Sequence, residues 1–196
     1  NMDEPLGRNI GNALEVIEAV DVLRGGGDKD LRELSVTLAA NMLSLSFGKD
    51  TDECMEEATK ALDSGRAFDK FRELVEAQGG DVDYIIDTHR FKKDKCVRDI
   101  VSPDDGYVFS ADTGMIGEAA VILGAGREKK EDEIDPSAGI VLYKKVGDKV
   151  YKGELTARLF TSSEERASGA EKLFLNALKI SKNPHEKKKL IYGIIK

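Results

Sequence analysis

Three carboxylates, Glu15, Glu18 and Asp21, recur at every third position, a spacing that groups them along one side of a helix. The plain reading is a solvated face with Glu15 used in capping. A sharper reading buries Glu18 and lets its carboxylate bind a cation with backbone carbonyls of the 5–9 turn. Such an all-oxygen set suits a monovalent or hard ion better than zinc. The other reactive side chains are scattered. His89 stands in a mixed connector and His185 in a basic tail, each away from any nucleophile or metal cluster, and both read as surface residues. Cys54 and Cys96 lack the glycine-rich, electropositive surroundings that lower a thiol pKa and read as reduced thiols. The sequence contains no Gly-x-Ser-x-Gly, His-Glu-x-x-His, Cys-x-x-Cys or P-loop motif.

Two patterns invite a binding reading. Val121 to Arg127 reads Val-Ile-Leu-Gly-Ala-Gly-Arg. A dinucleotide fingerprint needs a third glycine and a preceding strand; here the glycines follow a helix-like stretch and read as a C-cap entering a charged loop. The functional alternative is that Arg127, Lys129 and Lys130 line an anion-binding edge. The second pattern pairs Ser102-Pro103-Asp104-Asp105-Gly106-Tyr107-Val108 with Val146-Gly147-Asp148-Lys149-Val150-Tyr151-Lys152-Gly153-Glu154-Leu155. These resemble the two halves of a biotinyl/lipoyl carrier domain, where Gly and Asp suit the tight turns. No lysine between them sits in a carrier's hairpin-tip context, so the pattern implies a fold rather than a carrier.

The elements that must hold these residues fall into two halves. Up to about Gly80 the chain is helical. Asn12 with Glu15 resembles a capping box, and Gly25-Gly26-Gly27 ends the first helix. A second helix runs from Asp28 through Leu31, Leu34, Leu38, Met42 and Leu45 to Gly48, stepping by three or four. A third starts at Asp50-Thr51 and ends at Gly65, and a fourth carries Phe68, Phe71, Leu74 and Val75. Residues 81–99 read as a connector. From Ile100 short β-like runs appear at 100–101, 106–109, 139–143 and 155–160, interrupted by helices over 112–123 and 163–180. The expected fold class is α+β: a helical segment at 1–80, then a β-rich module at 100–196 resembling a biotinyl/lipoyl-like barrel-sandwich with added helices.

Charge and hydropathy narrow the partners. Residues 1–80 carry a net −8 and the remainder +1, so no basic footprint for nucleic acid is expected. No run approaches the ~20 apolar residues of a membrane span, and no secretory pattern opens the chain. A cytoplasmic protein is expected.

The residues also resemble one family. Met2-Asp3-Glu4-Pro5-Leu6-Gly7, Gly11-Asn12-Ala13-Leu14-Glu15-Val16 and Glu18-Ala19 are similar to a block of the thymidine/pyrimidine-nucleoside phosphorylases. Ala77-Gln78-Gly79-Gly80-Asp81, Gly106-Tyr107-Val108, Leu123 to Arg127, Lys130 to Asp135 and Gly147-Asp148-Lys149-Val150 resemble later parts of that family, in the same order. Asn1 and Glu4 stand where the family usually has aspartate and glutamine, and the 187–196 tail resembles nothing in it.

The resemblance implies that residues 1–80 are the remainder of a large α/β domain and 100–196 the family's C-terminal domain. It implies nucleoside salvage: pyrimidine nucleoside plus phosphate giving free base plus pentose 1-phosphate, a pentosyltransferase reaction. It further implies an intact homodimer and no organic cofactor. The family's Lys-His-Ser phosphate segment and its Arg, Ser and Lys base-gripping set are absent from this sequence, so no catalytic or substrate-binding residue carries over and the chain alone is expected to be inactive. The family's monovalent, potassium-like cation site carries over in part, to the backbone carbonyls of Leu6 and Asn9 and the carboxylate of Glu18. The alternative function is a non-catalytic barrel-type module that binds a partner or acts as a carrier.

Overall fold

The computed structural model describes residues 1–91, 96–127, 129–185 and 188–195. Residues 92–95 of the connector, Glu128 of the charged loop, and residues 186–187 and Lys196 of the tail lie outside the described residues. The chain folds as two compact units, Asn1–Glu15 with Phe91–Lys196 and Val16–Arg90.

In Val16–Arg90 the helices follow their caps. The helix α1 (Asn12–Leu23) enters this unit and is followed by α2 (Lys29–Phe47), α3 (Thr51–Asp63), α4 (Arg66–Ala77) and the one-turn α5 (Asp83–Ile86). Asp28 caps α2, and Gly48, at φ 65°, closes it with an N–H to the Ser44 carbonyl. The Asp50 carboxylate accepts from the N–H groups of Asp52 and Glu53 at the start of α3, which satisfies two otherwise orphaned donors. Arg24 ties the far end together. Its Nη2 donates to the carbonyls of Ile85 and Ile86 at 3.0 and 2.7 Å, and its guanidinium lies 4.6 Å from the centre of the Phe68 ring.

The apolar stepping of α2 meets little protein. Leu38, Met42, Leu45 and Phe47 are 55, 68, 88 and 69% exposed, and only Ala40 of this helix is buried. Part of that stripe opens onto a groove of about 840 Å³ lined by Leu31, Ala39, Met42, Ala58, Leu62 and Phe71 among others.

The other unit is built on two antiparallel sheets. One has strand order β1 (Asn9–Ile10), β4 (Gly139–Leu142), β6 (Leu155–Thr161), β2 (Cys96–Val101). The second has order β5 (Lys149–Val150), β3 (Gly106–Ala111), β7 (Leu178–Ser181). Helices α6 (Thr113–Leu123) and α7 (Glu164–Ala177) pack on each other through Ala119, Ala120 and Ala170, and the core closes around Ile100, Ile116, Leu123, Ile140, Leu159 and Phe174.

The architecture is thus α+β, and among the described residues the strands form two sheets and no closed barrel. Several boundaries differ from the sequence reading: α5 forms and β2 begins inside the expected 81–99 connector. The helix expected over 163–180 stops at Ala177, and Leu178 leaves with φ −93° and ψ 120°. Leu178–Ser181 instead pairs with β3, because an extended Leu-Lys-Ile-Ser run gains a ladder there that a last helical turn would lack.

Candidate functional site

The segment 2–15 is held to the four-stranded sheet through Arg8 and β1. The Leu142 N–H donates to the Arg8 carbonyl at 2.7 Å, while Arg8 Nη1 reaches the carbonyls of Leu142 and Tyr143 at 3.4 and 3.0 Å. The register Asn9↔Val141 follows. In an antiparallel ladder alternate carbonyls face opposite sides, so the bond at Arg8 turns the Asn9 carbonyl away from β4. The Asn9 side chain donates to the Leu14 carbonyl at 2.9 Å. Glu15 does not cap through Asn12: its Oε1 accepts from the Gly11 N–H at 3.0 Å. Asn12 instead sends its amide to the Ala125 carbonyl at 2.9 Å.

Of the three cation candidates, Leu6 and Asn9 lie in the unit containing 1–15, Leu6 in a loop at 39% exposure and Asn9 in β1. Glu18 lies in the other unit, on α1, and is 7% exposed. Among the described residues no group of three or more His, Cys, Asp or Glu side chains could hold a metal.

The glycine run ends α6. Gly124 adopts φ 112° as the C-cap and its carbonyl accepts from the Asp135 N–H at 2.9 Å. Thr161, fully buried, donates to the Leu123 carbonyl at 2.7 Å, satisfying a helix-end acceptor inside the core. The Arg166 guanidinium lies so close to Gly124 that a Cβ there would sit 2.7 Å from Nη1. Arg127, Lys129 and Lys130 are exposed. Asp132 and Glu133 share the adjoining hollow with Arg166, so the edge is mixed in charge rather than cationic.

The two carrier-like turns do meet. The Gly153 N–H donates to the Ser102 carbonyl at 2.8 Å, Ser102 N–H to the Glu154 carbonyl at 2.8 Å, and Lys152 N–H to Asp105 Oδ1 at 2.7 Å. Asp148 braces its own turn by accepting from the Lys145 N–H at 2.8 Å. Lys144 lies 2.6 Å from Glu154 and holds that carboxyl below its usual range, helped by the Tyr151 N–H. Lys145 is 4% exposed, out of reach of a modifying enzyme.

The remaining candidates stay structural. His89 is exposed, and His185 lies against the Phe109 ring with centroids 4.6 Å apart. Cys54 is fully buried, which pushes its thiol up. Cys96 Sγ donates to Glu164 Oε2 at 2.9 Å. Among the described residues no helix is long and apolar enough to cross a membrane.

Residues 107–181, from β3 through β7, match the family model described as pyrimidine nucleoside phosphorylase C-terminal domain. Over these residues the chain is similar to the C-terminal portion of the pyrimidine-nucleoside phosphorylases. It is 38% identical over 196 residues to the pyrimidine-nucleoside phosphorylase of Geobacillus stearothermophilus, covering 100% of this chain and 45% of that protein. It is 43% identical over 165 residues to the Bacillus subtilis pyrimidine-nucleoside phosphorylase, covering 84% and 38%. A Staphylococcus aureus pyrimidine-nucleoside phosphorylase is 41% identical over 174 residues, covering 88% and 40%. The chain spans less than half the length of these curated relatives. Within the matched residues fall Tyr107 and Val108 at the start of β3, the Leu123–Arg127 helix end and the Gly147–Val150 turn described above.

Proposed function

We propose that this chain is part of an enzyme that converts a pyrimidine nucleoside and phosphate to the free base and a pentose 1-phosphate, a pentosyl transfer in cytoplasmic nucleoside salvage. The observation that carries this reading is the match of residues 107–181 to the phosphorylase C-terminal domain, joined to 38% identity along all 196 residues. In that reaction the glycosidic bond breaks while phosphate approaches the anomeric carbon, and catalysis rests on holding the anion and stabilising charge on the departing base. The Lys-His-Ser phosphate segment and the base-gripping Arg, Ser and Lys set that the family resemblance implies for these tasks are not in this sequence. We therefore assign the 196-residue chain a supporting role without turnover of its own.

Two further features belong to the same reading. Leu6, Asn9 and Glu18 are assigned as oxygen donors to a potassium-like ion in the intact enzyme, supported by the Asn9 carbonyl's turn away from β4. The intact enzyme is assigned as a homodimer. The likeness of the C-terminal unit to a barrel-sandwich is supported by the hydrogen bonds joining the 102–106 and 152–154 turns. The open apolar groove of Val16–Arg90 supports the view that this unit belongs to a larger fold, since monomeric proteins rarely leave large apolar patches bare.

The test is direct. Purified chain is incubated with uridine or thymidine and inorganic phosphate, and free base is measured by chromatography. No phosphate-dependent release is expected. Steady release of uracil or thymine would overturn the supporting role while leaving the family resemblance intact.

A further inference from the structure

Beyond β7, Lys188, Leu190 and Tyr192 lie against the first residues of the chain within the same unit. Lys188 Nζ lies 2.6 Å from Asp3 Oδ2. The Asn1 nitrogen donates to the Leu190 carbonyl at 2.8 Å, and the Tyr192 hydroxyl lies 3.5 Å from Asn1 Oδ1. His185 lays its ring against Phe109, tilted by 57°. Asp3, Glu4, Phe109, Val146, His185 and Lys188 border one small cavity of about 180 Å³.

The opposite side of residues 1–4 is held by the body of the unit. Thr113 Oγ1 donates to the Met2 carbonyl at 3.1 Å, and the Val146 N–H donates to Glu4 Oε2 at 3.3 Å. Residues 1–4 therefore run between the tail and the turns that follow β3 and β4. From there the chain passes through buried Pro5 and Gly7, at φ 67°, into β1. Little slack separates the clamped stretch from Leu6 and Asn9.

We propose that residues 188–192 act as a strap, with Lys188 and His185 as positioning residues that fix the path of residues 2–7. An exposed ion pair alone contributes little, because solvent and salt screen it. The strap gains from closure at several points: once one contact forms, the others form at high effective concentration. Mutual hydrogen bonding accordingly holds the Lys188 amine above, and the Asp3 carboxyl below, their usual ranges. The strap stands on these contacts alone; only its bearing on Leu6 rests on the cation assignment.

Hydrogen–deuterium exchange of the full chain tests it. In a Lys188→Ala/His185→Ala variant, amides within residues 3–7 are expected to exchange several-fold faster, while amides of β4 and β6 keep their protection. Lys188→Arg should restore most of the protection, since it keeps the charge opposite Asp3. Unchanged exchange at 3–7 would overturn the strap, and so would equal acceleration in β4 and β6, which would make the tail a general stabiliser. The cation assignment fails separately: if potassium and lithium protect residues 6–9 equally in the intact enzyme, that assignment falls and the strap does not.

Discussion

Gly11 and Gly139 pass each other so closely that neither has room for a side chain. A Cβ on Gly139 would meet the Ile10 carbonyl oxygen and lie 3.1 Å from Gly11 Cα; one on Gly11 would meet the Ala138 carbonyl oxygen and lie 2.9 Å from Gly139 Cα. Both residues also have positive φ, 131° and 155°, where an L side chain is strained. The crossing is what lets two residues of β1 dock on β4 and then turn at once into α1.

Gly11→Ala and Gly139→Ala should therefore each destabilise the chain by roughly 2–4 kcal/mol, combining backbone strain with a clash against main chain that cannot swing aside. Urea unfolding of each variant measures this. Because both substitutions break the same crossing, the double variant should lose clearly less than the summed single losses. Full additivity would show that the two glycines act independently.

Much of this arrangement was legible in the sequence where one local rule decides the structure. Helices start where expected at Asp50, Asp112 and Ser163, each of which caps through its side chain, because a side-chain oxygen beside an orphan N–H is a local choice. Gly48 and Gly124 end theirs for the same kind of reason. What failed depended on distant partners. Two-residue strands such as β1 and β5 carry too few side chains to show a period, and exist only because β4 and β3 offer ladders. Leu178–Ser181 continued a helical pattern until β3 claimed it. For the proposed cation donors, the sequence could mark Glu18 by its spacing, but two of the three would use main-chain oxygens, which leave no residue-type signature.

The Asp99–Arg158 pair gives a pH dependence with a definite sign. Arg158 Nε lies 2.5 Å from Asp99 Oδ1 and Nη2 lies 2.9 Å from Oδ2, across β6 and β2. The guanidinium holds the Asp99 carboxyl below its ordinary value. A carboxyl depressed in the folded state stabilises the fold at pH values above its unfolded pKa, about 3.9, and that stabilisation is lost as pH falls through the folded value. Asp99→Asn should thus lower the melting temperature at pH 7, by a modest amount because both groups are partly exposed. The two melting curves should converge as pH falls below about 4. A gap that stays constant down to pH 2 would contradict the assignment.

The two thiols should separate by reactivity. Cys54 is fully buried on α3 with its thiol pushed up, so little thiolate is present and no reagent can reach it. Cys96 opens β2 and is half-buried beside Glu164. Ellman titration of the native chain should label one thiol, and the second only on unfolding in denaturant. In Cys96→Ser the native signal should vanish. Prompt labelling of both would mean that α3 opens far more readily than its packing implies.

The bare stripe of α2 sets the last expectation. Met42 and Leu45 are 68 and 88% exposed, so replacing them removes little buried surface, and substitutions at such positions usually change stability by within about 0.5 kcal/mol. Met42→Glu/Leu45→Glu should leave the urea midpoint of the chain nearly unchanged. It should also reduce both the fluorescence of a hydrophobic dye and concentration-dependent association in sedimentation, because the apolar patch that drives both is broken by charge. A stability loss well above 1 kcal/mol with the dye signal intact would mean that these side chains are covered in solution. The groove would then be a closed part of the helical unit, and its support for a larger surrounding fold would be withdrawn.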